Sequence, residues 1–186
     1  MSRRNIINLL AFQIGWIACV LGAANGMAWI GISSVAIIVL VHMVFSPILR
    51  QEITVVVVAG MLGYTWESAL SALTIINYPA VPAGQLAPYW MFALWANFAL
   101  TINWSLSWFK KHLVIASLAG LVFAPAAYYA GYRLGALEFS SLWQAMIVIG
   151  AGWAVLFPFL AWYANALLNH KSDDTSDQSS GDPTNV

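Results

Sequence analysis

Apolar residues gather into six runs along this chain, roughly 6–24, 28–46, 53–76, 89–108, 113–132 and 141–167. A helix needs about 20 residues to cross ~30 Å of hydrocarbon, and each run reaches or approaches that length. The breaks between them carry turn chemistry or charge: Asn25-Gly26, Pro47 to Glu52, Asn77 to Pro88, Phe109-Lys110-Lys111-His112, and Arg133 to Ser140. The pattern predicts an all-α polytopic membrane protein, with a bundle of six transmembrane helices over residues 1–168. The first break is so tight that the first two spans must form a hairpin. From Asn169 the composition turns to Ser and Asp with almost no apolar residue, so 169–186 is expected to be a disordered cytoplasmic tail.

Basic residues in short loops set orientation. With the N-terminus inside, the inner side receives Arg3, Arg4, Arg50, Lys110, Lys111 and Lys171, and the outer side only Arg133. Both termini are therefore expected in the cytoplasm, in a bacterial inner membrane. Arg3-Arg4 ahead of an apolar stretch resembles a signal peptide, but Gln13 and Trp16 interrupt the run and five further spans follow. The first three and last three spans share no alignable motif, so no inverted repeat is read.

Composition narrows the class. Of 186 residues, 61% are hydrophobic and 8% charged, with a mean hydropathy of +0.78. Soluble domains carry roughly 25% charged residues, so this chain could not cover a globule with polar surface. Seven basic residues balance seven acidic ones and are scattered singly, which excludes a nucleic-acid partner as the leading idea. The single cysteine, Cys19, sits within the first run, where a small buried residue is the plain reading, and no metal-type Cys/His spacing exists.

An ionisable residue at membrane depth is a functional-site hypothesis by default. Glu67 is the strong case, about 14 Å in from the outer end of the third span at 1.5 Å per residue. Gly60, Gly63, Tyr64, Glu67, Ser71 and Thr74 share one ~100° arc of that helix, whereas Val55, Val58, Met61 and Leu62 lie off it. Asn97 on the fourth span lies about 12 Å deep from the same side and shares a face with Thr101 and Ser105, so an Asn97–Glu67 hydrogen bond is expected. Tyr128 and Tyr129 near the end of the fifth span fall in the same layer, and Arg133 is placed to pair with Glu67 or Glu138. Gln13, His42 and Asn103 form a second expected layer, about 19–21 Å from the outer surface. Asn, Gln, Ser and Thr also serve simply as glue between helices, at about 0.6 kcal/mol each. That plain reading stands beside the functional one for Gln13, Asn97, Asn103 and His42.

Trp29, Trp90, Trp108 and Trp143 fall where span ends meet the interface, as an aromatic belt requires. Trp66, Trp95, Trp104 and Trp153 lie deeper, where they either pack or line a cavity for an apolar ligand. No nucleophile elbow, P-loop or zinc-protease helix motif occurs. Ser68 beside Glu67 points about 100° away from it.

Three stretches together resemble a family of bacterial inner-membrane proteins known as domain of unknown function 2878. They are Phe12-Gln13-Ile14-Gly15-Trp16, the block from Leu94 to Leu106 (LWANFALTINWSL), and the block from Tyr129 to Ala136 (YAGYRLGA). The Glu67-Ser68 pair also looks like a family feature. The resemblance implies a multipass inner-membrane protein and points toward membrane-lipid chemistry or handling, but brings no catalytic residue. It also makes Arg133, on the side disfavoured for basic residues, a candidate contact for an anionic group.

The sequence reading is an inner-membrane protein that binds or handles a lipid or other apolar molecule in an intramembrane cavity. Glu67 is its polar anchor, and Asn97, Asn103, Gln13, Tyr64, Trp66, Thr101, Tyr128, Tyr129 and Arg133 are the candidate binding residues. Membrane lipids and an apolar small molecule are the expected partners, with no metal and no cofactor. The rival readings are a lipid- or acyl-modifying enzyme with Glu67 as general acid or base, a proton-coupled carrier, and a structural subunit of a membrane complex.

Overall fold

Each apolar run becomes a helix. The computed structural model describes residues 2–79 and 81–180, with side chains as far as Asn169. Its helices are α1 (Arg3–Ala24), α2 (Ala28–Val44), α3 (Leu49–Ala72), α4 (Tyr89–Ile102), α5 (Leu113–Arg133) and α6 (Leu142–Ser180). Of the tail expected over 169–186, the backbone of 170–180 continues α6, and residues 181–186 lie outside the described residues. Four stretches are long and apolar enough to cross a membrane, namely α1, α3, α5 and Leu142–Asn169 of α6. The other two are shorter: α2 has 17 residues and α4 has 14, or about 25 and 21 Å of helix.

The connections after α1 and α2 are only a few residues long, so α1, α2 and α3 alternate in direction. The α1–α2 turn closes with the Met27 amide donating to the Gly22 carbonyl at 2.7 Å, and Gly26 takes a φ of +70° that a side chain would strain. Gly31 lets α2 lie directly on the backbone of Cys19, and Gly120 and Gly150 do the same between α5 and α6. Such small-residue contacts let helices pack closely without a hydrophobic driving force between them. Two short strands, β1 (Ile76–Asn77) and β2 (Glu138–Phe139), pair antiparallel with Ile76 opposite Phe139. They tie the α3–α4 and α5–α6 connections together at the end of the bundle away from Arg3, Arg4, Arg50, Lys110 and Lys111.

The helix α4 is central, since ten of its residues are buried and α1, α2, α3 and α6 all pack against it. It ends at Ile102, where the apolar run predicts a helix continuing to 108. There the Leu106 amide folds back to the Thr101 carbonyl at 2.8 Å, and a 3-10 helix, Ser107–Lys111, carries the chain to the basic end. Backbone polar groups buried away from water need partners wherever the helix breaks, and Asn8 of α1 supplies them. Its Nδ2 donates to the Leu100 carbonyl at 3.0 Å, and its Oδ1 accepts from the Ser105 amide and hydroxyl at 3.3 and 2.6 Å.

Polarity runs inside out. Leu40, Val44, Val122, Phe123, Ile147 and Val155 stand exposed on the outer faces of the helices, while Asn8, Glu52, Glu67, Ser68, Ser71, Asn97 and Thr101 are buried. Water would penalise such a surface, and lipid favours it. Trp29, Trp108 and Trp143 are exposed near helix ends, as a belt requires. Trp90 departs from that expectation: it is buried and meets Tyr78 edge-on at 5.8 Å.

Candidate functional site

Glu67 is wholly buried on α3. The small-residue stripe predicted around it is what admits its partners. Gly60 lies under the Phe92 ring and Gly63 under the Trp95 indole, so neither position has room for a side chain. Trp95 thereby reaches Glu67, donating Nε1–H to Oε1 at 3.1 Å. Tyr78, from the connection after β1, donates its hydroxyl to Oε2 at 2.8 Å, and Tyr128 of α5 donates to Oε1. Burial, then the neighbouring carboxylate, hold the Tyr78 phenol well above the ordinary tyrosine range, so it stays a donor. Three hydrogen bonds thus converge on its two carboxyl oxygens. No cation pairs with Glu67 among the described residues.

Several expected partners lie elsewhere. Asn97 does not reach Glu67, because it is two residues from Trp95 and therefore about 200° around α4 from the face that meets α3. It points at α1 instead, packs on Gly15 and donates Nδ2–H to the Phe12 carbonyl at 2.9 Å. Thr101 turns back on its own helix, bonding the Phe98 carbonyl at 2.6 Å. Arg133 is exposed and donates to the Tyr129 hydroxyl at 3.4 Å, making no ion pair with Glu67 or Glu138 among the described residues. Thr74 lies past the end of α3, at a φ of 54°. Tyr64 stacks on Tyr89, with ring centres 6.2 Å apart, and the Trp66 ring covers Gly152.

The expected second layer does not assemble. Gln13 is exposed on the outer face of α1, because Asn8, Gly15 and Cys19 take the inner face. Asn103 accepts from Lys110 Nζ at 3.0 Å. His42 belongs to a cluster that sequence reasoning missed, pairing with the buried Glu52 at 2.8 Å while Trp104 donates its indole N–H to the same carboxylate. Glu52 reads in sequence as part of a polar break. The helix begins earlier, at Leu49, and turns it inward. The one sequence signal was its position across the short α2–α3 turn from His42.

Beside the Glu67 cluster lies a cavity of about 340 Å³. Its walls are α1 and α5, which hardly touch each other, and its floor is α4 and α6. Phe98, Trp153 and Phe157 line it, with Trp153 stacked on Trp95 at 4.4 Å. Its lining residues are apolar or aromatic, and the only polar side-chain groups they carry are the Tyr128 hydroxyl and the tryptophan indole N–H groups. Glu67 does not line the cavity; Tyr128 and Trp95, which do, stand between it and the space. Phe123 on the rim is 71% exposed, so the gap faces the side of the bundle. No cluster of metal-ligating side chains occurs among the described residues.

A family model described as protein of unknown function (DUF2878) matches residues 5–159, and the chain belongs to that family. The match runs from α1 into α6 and takes in Glu67, its three donors and the lining of the cavity. No curated protein and no solved structure matches the chain.

Proposed function

We propose that this DUF2878 protein spans a bacterial inner membrane six times, with both termini in the cytoplasm, and binds the acyl chain of a lipid, or a comparable apolar molecule, between α1 and α5. The observation that carries the reading is a side-facing gap of about 340 Å³ whose apolar wall is broken at Tyr128 and Trp95, both held by one buried carboxyl. A gap at that depth is reached from the bilayer rather than from water. Burial of apolar chain supplies the affinity, at about 0.8 kcal/mol per methylene. Polar groups in such sites fix orientation more than they add energy. Glu67 is a positioning residue here, since it orients two groups that meet the ligand and does not itself face the space.

The α4 helix and the turn after it complete the fourth crossing in this reading, with Asn8 satisfying the irregular backbone. The α2 helix, about 25 Å long, crosses with its flanking residues. The basic residues then gather on the cytoplasmic side as the positive-inside rule requires.

A fatty acid bearing a photoactivatable diazirine tests the site in the full-length protein. Labelling is expected on α5 peptides around Phe123 to Tyr128, and Ala127→Phe, which fills the gap from its rim, should remove most of it. Equal labelling of the Ala127→Phe protein, or labelling confined to other helices, overturns the reading.

A further inference from the structure

A second cavity, of about 390 Å³, lies between α1, α2 and α4. It runs from Arg4 and Phe45 at the basic end to Asn97, and Phe12 stands in the wall of both cavities. From Arg4 to Phe12 it follows about 12 Å of α1. Ile7, Ala11, Ile37 and Val41 form its apolar sides.

Its two ends carry polar groups of opposite kind, one a cation and the other an acceptor. At the basic end the Arg4 guanidinium lies 4.0 Å over the Trp104 ring and donates one N–H to the Phe45 carbonyl at 3.2 Å. That contact fixes the fork and leaves most of its five donors for an anion. Glu52, which shares Trp104 with Arg4, is already taken up by His42 and by the Trp104 indole. At the inner end Asn97 is fully buried, its amide N–H spent on Phe12 while Oδ1 has no hydrogen-bond partner among the described residues. Flipping the amide would not help, because it would set Oδ1 against the Phe12 carbonyl. A buried acceptor left unpaired is costly, and Asn97 is one of the residues that line the cavity.

We infer that this cavity is a second lipid site, taking an anionic single-chain amphiphile. The carboxylate or phosphate head sits on Arg4, the chain lies between α1 and α2, and a donor part-way along it, such as a hydroxyl, reaches Asn97 Oδ1. The site is independent of the gap between α1 and α5, and each can fail without the other.

The test is binding of three probes to the full-length protein in a neutral detergent, followed by native mass spectrometry. The probes are stearate, stearate hydroxylated near mid-chain, and methyl stearate. The hydroxylated acid is expected to bind about tenfold tighter than stearate, and the methyl ester about tenfold weaker. Arg4→Gln, at an exposed position, should erase the difference between acid and ester. Ala11→Phe should block the chain while leaving diazirine labelling of α5 intact. The donor is varied on the ligand because replacing Asn97 would also break its bond to Phe12. Equal binding of acid and ester overturns the head-group contact, and equal binding of plain and hydroxylated stearate overturns the Asn97 contact. Inorganic phosphate binding at Arg4 with no stearate bound would replace the lipid site by a free-anion site.

Discussion

The Tyr128 hydroxyl on α5 reaches the Glu67 carboxyl on α3, although the two helices hardly touch. One buried group thus links the α3–α4 half of the bundle to the α5–α6 half. Hydrogen bonds to a charged or highly polar buried group contribute about 1.5–3 kcal/mol, and an orphaned partner costs a similar amount. Tyr128→Phe should therefore destabilise the protein by about 1–3 kcal/mol, read as a lowered thermal midpoint in detergent. In a Glu67→Ala background the same change should cost far less, because the acceptor is already gone. Additive losses in the double variant would show that the two residues act separately.

Gly63 gives a sharper packing test. A methyl group there would land inside the Trp95 ring, with the indole boxed in by Trp153 and Phe98. Overpacking of this kind costs about 1–3 kcal/mol, and it would pull Trp95 Nε1 off Glu67. Gly63→Ala should lower the thermal midpoint and change the near-ultraviolet circular dichroism of the tryptophans. Gly26→Ala meets nothing within 4 Å and costs only its left-handed backbone, about 1–2 kcal/mol, with no change in the aromatic signal.

These two tests mark what the sequence disclosed. The apolar runs sufficed to place six helices, four of them long and apolar enough to cross a membrane. That Glu67 is buried against protein was legible, since a lone acid on a stripe of glycine and serine must face protein. Its partners were not. Depth alone favoured Asn97, but the two-residue offset from Trp95 turns that amide to the opposite side of α4, and only the packing decides which face meets α3. Tyr78 was invisible because it comes from a connection that folds back into the bundle. Glu52 hid at a helix end, where a charge normally reads as solvated, so His42 was placed with Gln13 and Asn103 instead of with its carboxyl partner. Depth alone also misplaced Gln13, whose neighbours Asn8 and Gly15 claim the inward face of α1.

Asn8 predicts how the middle of the bundle comes apart. Its side chain makes three hydrogen bonds across the break between α4 and the 3-10 helix. Asn8→Ala should destabilise by about 1–3 kcal/mol. It should also speed amide hydrogen exchange over residues 101–107 relative to the middle of α4. Uniform acceleration throughout α4 would show that Asn8 supports the helix generally rather than its broken end.

Six crossings and their direction can be tested with single cysteines, because the native Cys19 is fully buried and offers little background to a bulky reagent. Gly26 lies in the α1–α2 turn and Pro47 in the α2–α3 turn, and both are exposed. If the short α2 helix crosses the bilayer, the two turns lie on opposite sides. Gly26→Cys should then react with a membrane-impermeant maleimide in intact cells, and Pro47→Cys only after the cells are opened. Gly84→Cys should behave like the first and Lys111→Cys like the second, since six basic residues are assigned to the inner side and one to the outer. Labelling of Gly26→Cys and Pro47→Cys from the same side would mean that α2 does not cross. Labelling of Lys111→Cys in intact cells would reverse the orientation and move the Arg4 end of the second cavity to the outer leaflet.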